Sequence, residues 1–378
     1  MEQYNPEQLQ QTYRTLQSGD PRMRAIRTAA AAAEQANDLP WAIRFHHDLI
    51  HESVFSGDRY QALVDFPQYL ALVKRDPALE QENLWDTLWM FKWIVEAATE
   101  FYQIEKKQVL GWFSEYRRML LENGYSLRSW YEKRAIFFSY CDHAKMRLDF
   151  ESFQEAKRDG MGDGEASELD SVVRFALEIG DQEKAMQAAN QIFDRNLRTE
   201  EVPCKTYHYL LRDAIRRGDM ASAEQYAEPL RPLCAGQRFQ LEPIGMVLCY
   251  DALTNPERGL QFYAKNKALR EGSRNPFLCF WFDRGAARLL TAAAEQTVYE
   301  LQQTVVDDLK AASADGKLTQ DEITVLGKKL LEGTLQKMSD SGIGVLKAAN
   351  VDINAIVTGA GEALIARIKA GQEEKIHG

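Results

Sequence analysis

Several things are scarce in this chain of 378 residues, and each scarcity removes a class of protein. Sustained alternation of apolar and polar residues is nearly absent, and β-branched runs are few, so a sheet protein is not expected. Cysteine is rare. Cys141, Cys204, Cys234, Cys249 and Cys279 are odd in number and widely spaced, and none forms a Cys-x-x-Cys pair. That pattern reads as reduced thiols in a cytosol rather than a disulfide framework. The richest apolar run, Phe277–Phe282, falls far short of the roughly 20 residues that a bilayer span requires. The start, MEQYNPEQLQQ, is polar and acidic and lacks the charged-then-apolar order of a signal peptide. A cytoplasmic location without membrane contact is therefore expected. Basic charge is also in deficit: the formal net charge is −10 and the isoelectric point about 5.3. Nonspecific binding to nucleic acid, which needs a basic face, is not expected. No Ser/His/Asp arrangement, phosphate-binding loop or dinucleotide fingerprint is present. Neither a cofactor nor catalytic residues are expected, although a triad assembled only in space would escape this reading.

What the chain does have is a repeat. Gly180-Asp181 is followed by Ala185 and Ala189, and Gly218-Asp219 by Ala223 and Ala227 at the same offsets. In each case a helix ends at a glycine that can turn left-handed, and a second helix returns along it. Alanine stands where the two helices approach closely. With 45% hydrophobic and 27% charged residues, the composition suits an ordered array of such hairpins.

Residues 1–40 read as a lead-in helical pair, with Asp20 as a cap and Pro21 at the first helical position. Residues 41–295 read as about six hairpins. Gly57-Asp58, followed by Ala62 and Phe66, repeats the central pattern; Asn255-Pro256 replaces Gly-Asp near the end, and weaker turns are placed near Gln103 and Asp149. The Gly-rich segment at 159–166 is expected to act as a hinge. Near Gln296 the character changes. A helix ending at about Ala294 is expected to give way to a small helical unit over 296–378, with amphipathic helices from Val298, from the capping box Thr319-x-x-Glu322, and from Asn354. Its apolar stripes call for a partner, either the array or a second copy of the chain. The fold expected is an all-α hairpin solenoid with a C-terminal helical unit.

These hairpins resemble tetratricopeptide repeats over roughly residues 40–290. Gly57/Ala62, Gly180/Ala185 and Gly218/Ala223 match that family's Gly-to-small-residue spacing, and Tyr207, Leu210 and Leu211 its first-helix apolar positions. The stretch 169–218 is also similar to a group of bacterial repeat proteins of undefined activity, except that Gly164 and Ser167 stand where that group has Cys-x-x-Cys. The tail Ala314–Thr319 is faintly similar to phage holin tails, without their membrane helix. The tetratricopeptide resemblance implies an interaction module (adaptor, regulator or scaffold) that binds a partner in a concave groove lined by the first helix of each hairpin. Transferred to this chain, the pattern selects Arg44, His47, His51, Asp170, Arg174, Lys205, His208 and Arg212. The set is mostly basic, and guanidinium and ammonium groups on rigid helices suit carboxylates or phosphates. An acidic peptide segment or free C-terminus is the expected ligand; the alternative is that these are ordinary solvated faces.

Other patterns weigh less. His47 and His51 lie one helical turn apart, and His47-Asp48-x-x-His51 mimics a zinc-protease motif with Asp for Glu. A metal-dependent hydrolase using that pair is the alternative function, although no third ligand is evident. Asp159–Asp170 and Ala311–Glu322 imitate calcium loops, but lack acceptable residues at key ligand positions. Trp85, Trp89 and Trp93 fall on one helical face. A buried seam between hairpins is the expected reading, and an exposed aromatic platform the alternative.

Overall fold

The computed structural model describes residues 4–312 and 325 of the chain, with side chains for 4–296 and 325. Helix follows helix: α1 (Pro6–Arg14), α2 (Asp20–Gln35), α3 (Leu39–Phe55), α4 (Arg59–Val73), the short α5 (Pro77–Glu82), α6 (Leu84–Ala98) and α7 (Lys106–Glu122). Then come α8 (Arg128–Ser139), α9 (His143–Glu155), α10 (Glu165–Ile179), α11 (Gln182–Asp194), α12 (Cys204–Arg217) and α13 (Met220–Cys234). One 3₁₀ turn (Arg238–Gln240) precedes α14 (Leu241–Thr254), α15 (Pro256–Glu271) and α16 (Pro276–Ala312). No strand occurs among the described residues, and consecutive helices pack pairwise as an all-α hairpin solenoid.

The hairpin turns obey one rule. Gly180 and Gly218 adopt φ of +81° and +72°, a region that a side chain resists. The next residue caps the returning helix: Asp181 Oδ1 accepts from Lys184 N at 3.0 Å, and Asp219 Oδ1 from Ser222 N at 3.1 Å. Ala185, Ala189, Ala223 and Ala227 are fully buried at the crossings, where a methyl group permits close helix approach.

Two departures from the sequence expectation follow from this rule. The turn expected near Asp149 lies at Cys141-Asp142, and Asp142 Oδ1 caps α9 by accepting from Lys145 N at 3.1 Å. Met146 and Phe150 then occupy the offsets of Ala185 and Ala189 and are buried. So α8 and α9 form a regular repeat in which the aspartate alone makes the turn. At the other end, α16 runs to Ala312, past the helix end expected at about Ala294. The capping box at Thr319, the second calcium-like loop and the remaining tail helices lie outside the described residues.

Contacts divide the chain into two units: Met1–Tyr250 with Phe262–Gly285, and Asp251–Gln261 with the chain from Ala286 onward. In the first unit the leading helices of successive hairpins touch in the order α3, α6, α8, α10, α12. Its core is aromatic, with Phe45, Tyr69, Phe113, Tyr116, Phe150, Phe153 and Phe175 fully buried.

Candidate functional site

All five leading helices of that unit line one cavity of about 440 Å³. His51, Val54 and Phe55 come from α3, Trp89, Trp93 and Glu96 from α6, Glu132 and Lys133 from α8, Asp170 and Arg174 from α10, and Lys205 and Tyr209 from α12. Arg59 joins them from α4. Two connections of nine residues, 156–164 and 195–203, bring Asp163 and Glu201 to the same space.

One wall is aromatic. Trp85 stacks on Trp89 at 4.9 Å, Trp89 meets Trp93 edge-on at 6.4 Å, and Trp93 meets Phe55 and His51 at 5.3 and 5.6 Å. The stripe expected as a buried seam is instead open. Trp85 is 45% exposed, and Trp89 and Trp93 are half-buried on the cavity. Elsewhere on α6, Leu88, Met90, Phe91 and Val95 are buried, and Phe91 packs on Phe66 of α4 and Tyr116 of α7.

Beside this wall runs a chain of alternating charges. Lys205 Nζ lies 2.7 Å from Glu201 Oε1, which lies 3.5 Å from Arg59 Nη2. Arg59 Nη1 reaches Glu96 Oε1 at 3.2 Å, Glu96 Oε2 reaches Lys133 Nζ at 2.9 Å, and Lys133 reaches Asp163 Oδ2 at 2.9 Å. Lys92 Nζ closes the chain on Asp163 Oδ1 at 2.5 Å, and sits 3.2 Å from the Trp89 ring centre. Lys92 is fully buried, and burial pulls its ammonium below the ordinary lysine value. Burial acts the same way on Lys133, but Asp163, Glu132 and Glu96 outweigh it and hold that ammonium well above its ordinary value.

The remaining charges decide what the cavity can take. By count, its lining carries six carboxylates against four lysines and arginines, which alone would favour a cation. Three of those carboxylates are neutralised in the chain just described. Burial pushes Glu132 upward, and Ser171 Oγ donates to its Oε1 at 2.6 Å. Burial pushes Asp170 up to about 7, and Thr206 Oγ1 donates to it at 2.5 Å. Arg59, Lys133 and Lys205 are likewise paired. Arg174 is different. Its Nη2 donates to Ser139 Oγ at 3.0 Å and to Tyr140 OH at 2.7 Å, its Nε has no hydrogen-bond partner, and no carboxylate pairs with it among the described residues. The guanidinium lies near the Tyr140, Phe175 and Tyr209 rings, and Glu242 acts on it only at a distance, so its charge is left for an anion that reaches its free N–H groups.

Of the eight residues that the repeat pattern selects, the cavity gathers His51, Asp170, Arg174 and Lys205. Arg44 and His47 do not line it; they converge on Asp48 at 3.7 and 3.2 Å, and Asp48 Oδ2 also accepts from Tyr13 OH at 2.5 Å. His208 is fully buried beside Glu242, at 3.4 Å, and Arg212 is paired with Glu178. The His47–His51 spacing does not converge on a common point: His47 Nδ1 faces Asp48, while His51 packs on Phe55 and Trp93. Among the described residues no group of three or more His, Cys, Asp or Glu could hold a metal ion.

The Gly-rich segment expected to hinge and to imitate a calcium loop is tied on both sides. Asp159 accepts from the backbone N–H groups of Ser126 and Met161 at 2.5 and 2.9 Å, while Asp163 is held by two lysines. Among the described residues, no helix is long and apolar enough to cross a membrane. Compared with known proteins, the chain matches no family model and no curated protein. The class that the fold defines is an all-α helical-hairpin repeat protein.

Proposed function

We propose that the chain is a tetratricopeptide-like interaction module that takes an acidic segment of a partner into the cavity lined by its leading helices. Arg174 carries this reading, as the one lining cation without a carboxylate among the described residues. The aromatic wall of Trp89, Trp93 and Phe55 adds a surface for the apolar part of such a segment. A volume of about 440 Å³ lies in the range of sites that enclose a ligand of a few residues.

Selection of displayed peptides on the full chain tests the reading. Acid-rich sequences should be enriched. Their affinity should fall roughly 10- to 100-fold in Arg174→Ala, matching the loss of a charge-assisted hydrogen bond of about 1.5–3 kcal/mol. Arg212→Ala should leave it within about twofold, since Arg212 is spent on Glu178 outside the cavity. Selection without acidic bias, or an Arg174→Ala protein that binds like wild type, overturns the proposal.

A further inference from the structure

We infer that Glu201 is a built-in stand-in for the ligand: it occupies Arg59 and Lys205 until a diacidic segment, one carboxylate on Arg174 and another on the Arg59–Lys205 pair, displaces it. The inference rests on the cavity being an acidic-segment site, and adds to it both the chemistry of the segment and the way access is controlled.

The connection that carries Glu201 is built to present it. Thr199 N donates to Val202 O at 3.0 Å, and Thr199 Oγ1 accepts from the backbone N–H groups of Glu201 and Val202 at 3.3 and 3.0 Å. Val202 is 3% exposed and anchors the turn. The Glu201 side chain thus enters the cavity from a connection between two hairpins, as a partner's carboxylate would.

A comparison within the same cavity shows that this hold is the exchangeable one. Asp163 also arrives on a nine-residue connection and also meets two cations. Each of its oxygens has its own lysine, at 2.5 and 2.9 Å, and one of those lysines is fully buried. Breaking such a pair strands a charge in the interior, which is strongly unfavourable. Glu201 uses a single oxygen, Oε1, for both cations, at 2.7 and 3.5 Å, and its side chain is 27% exposed. A carboxylate held through one oxygen on a partly exposed side chain exchanges more readily than one held through both. When another carboxylate arrives, Arg59 and Lys205 exchange one partner for another, Arg59 keeps Glu96 and Glu100, and Glu201 moves toward solvent beside the exposed Glu200. Arg59 stays paired throughout, and Lys205 takes the incoming carboxylate in place of Glu201. The ligand affinity observed is then the intrinsic one reduced by the fraction of molecules in which Glu201 has let go.

The probe is acetyl-Thr-Glu-Glu-Val-amide, a copy of residues 199–202, titrated calorimetrically into the full chain beside its Gln-Gln counterpart. Glu201→Gln should bind the diacidic probe at least about fivefold more tightly than wild type, the equivalent of about 1 kcal/mol of lost competition. Glu200→Gln removes the same charge one residue away, from an exposed side chain with no ion pair among the described residues, and should stay within about twofold. The Gln-Gln probe should bind none of them. Thr199→Ala, which loosens the turn but keeps Glu201, should tighten binding in the same direction, and decides the matter if Glu201→Gln does not fold. Equal tightening by Glu200→Gln and Glu201→Gln overturns the stand-in in favour of general charge. Equal affinity of wild type, Glu201→Gln and Thr199→Ala, with Arg174→Ala weaker than all three, overturns the stand-in and leaves the cavity as the acidic-segment site. No binding of the probe by any variant overturns both.

Discussion

Asp170 shows how much one buried carboxyl governs here. Burial raises it to about 7, and the Thr206 hydroxyl hydrogen bond only partly offsets that rise. The folded protein therefore holds this proton more tightly than the unfolded chain, whose aspartates titrate near 3.9. The group's contribution to stability is fully present below about pH 4 and is lost progressively as pH rises to 7. Asp170→Asn keeps an oxygen to accept from Thr206 and removes the proton. Its melting temperature relative to wild type should be higher at pH 8 than at pH 5, as thermal unfolding at the two pH values would show. An unchanged difference would mean that the carboxyl titrates normally. Binding should follow the same group: above pH 7 an ionised Asp170 adds negative charge to the cavity, so affinity for an acidic probe should fall there and be flat in Asp170→Asn.

At the scale of helices, α14 and α16 approach each other backbone to backbone. A Cβ added at Gly245 would fall inside the carbonyl of Trp281, and one at Gly285 would fall on the carbonyl of Gly245. Both obstacles are backbone, which cannot swing aside. Gly245→Ala should therefore cost several kcal/mol, well beyond the slight gain that alanine's helix propensity brings, measured by denaturant unfolding. A stability equal to wild type would show that the two helices can separate freely. The sequence announces the hairpins far better than it announces this contact. Gly180-Asp181 and Gly218-Asp219 are local signals, because turn, cap and small crossing residue sit within ten positions. The turn of the α8–α9 hairpin reads as lying near Asp149 because Cys141 stands in the place of a glycine, although Asp142 carries the cap alone. Gly245 and Gly285 read as isolated helical glycines until each is set against the other. The site is harder still. Arg59, Glu96, Lys133 and Asp163 come from four elements, and no spacing rule joins them. One signal was present: Lys92 interrupts an apolar, tryptophan-rich helix and had to find a carboxylate. By contrast, the repeat pattern did place His51, Arg174 and Lys205 on the lining helices. It could not show that Arg212 and His208, on the same helix as Lys205, turn to Glu178 and Glu242.

The first unit as a whole departs from a simple array, in which each repeat touches only its neighbours. Late residues return to early ones. Arg238 pairs with Asp20 at 3.4 Å, Arg274 with Asp58, and the Asn275 amide with Glu100. The Phe239 backbone lies against Gly57, and Phe277 meets the Tyr140 ring at 5.1 Å. A closed unit should unfold in one cooperative step rather than fray from an end. The double variant Asp58→Ala/Glu100→Ala removes two of these ties. Amide exchange should accelerate at residues 272–280 while α10–α13 keeps its protection. Equal acceleration throughout would show that the ties hold the whole unit, and none at all that they hold nothing.

The run of paired charges from Lys205 to Lys92 has an optical consequence. Its far end is an ammonium poised over the face of one indole, Trp89, and its near end is the Lys205–Glu201 pair, where the proposed exchange of carboxylates would take place. Indole emission shifts with the electric field across the ring. A charge rearranged at Lys205 should therefore alter the light from a tryptophan several helices away, so that emission would report the proposed occupancy without any added dye.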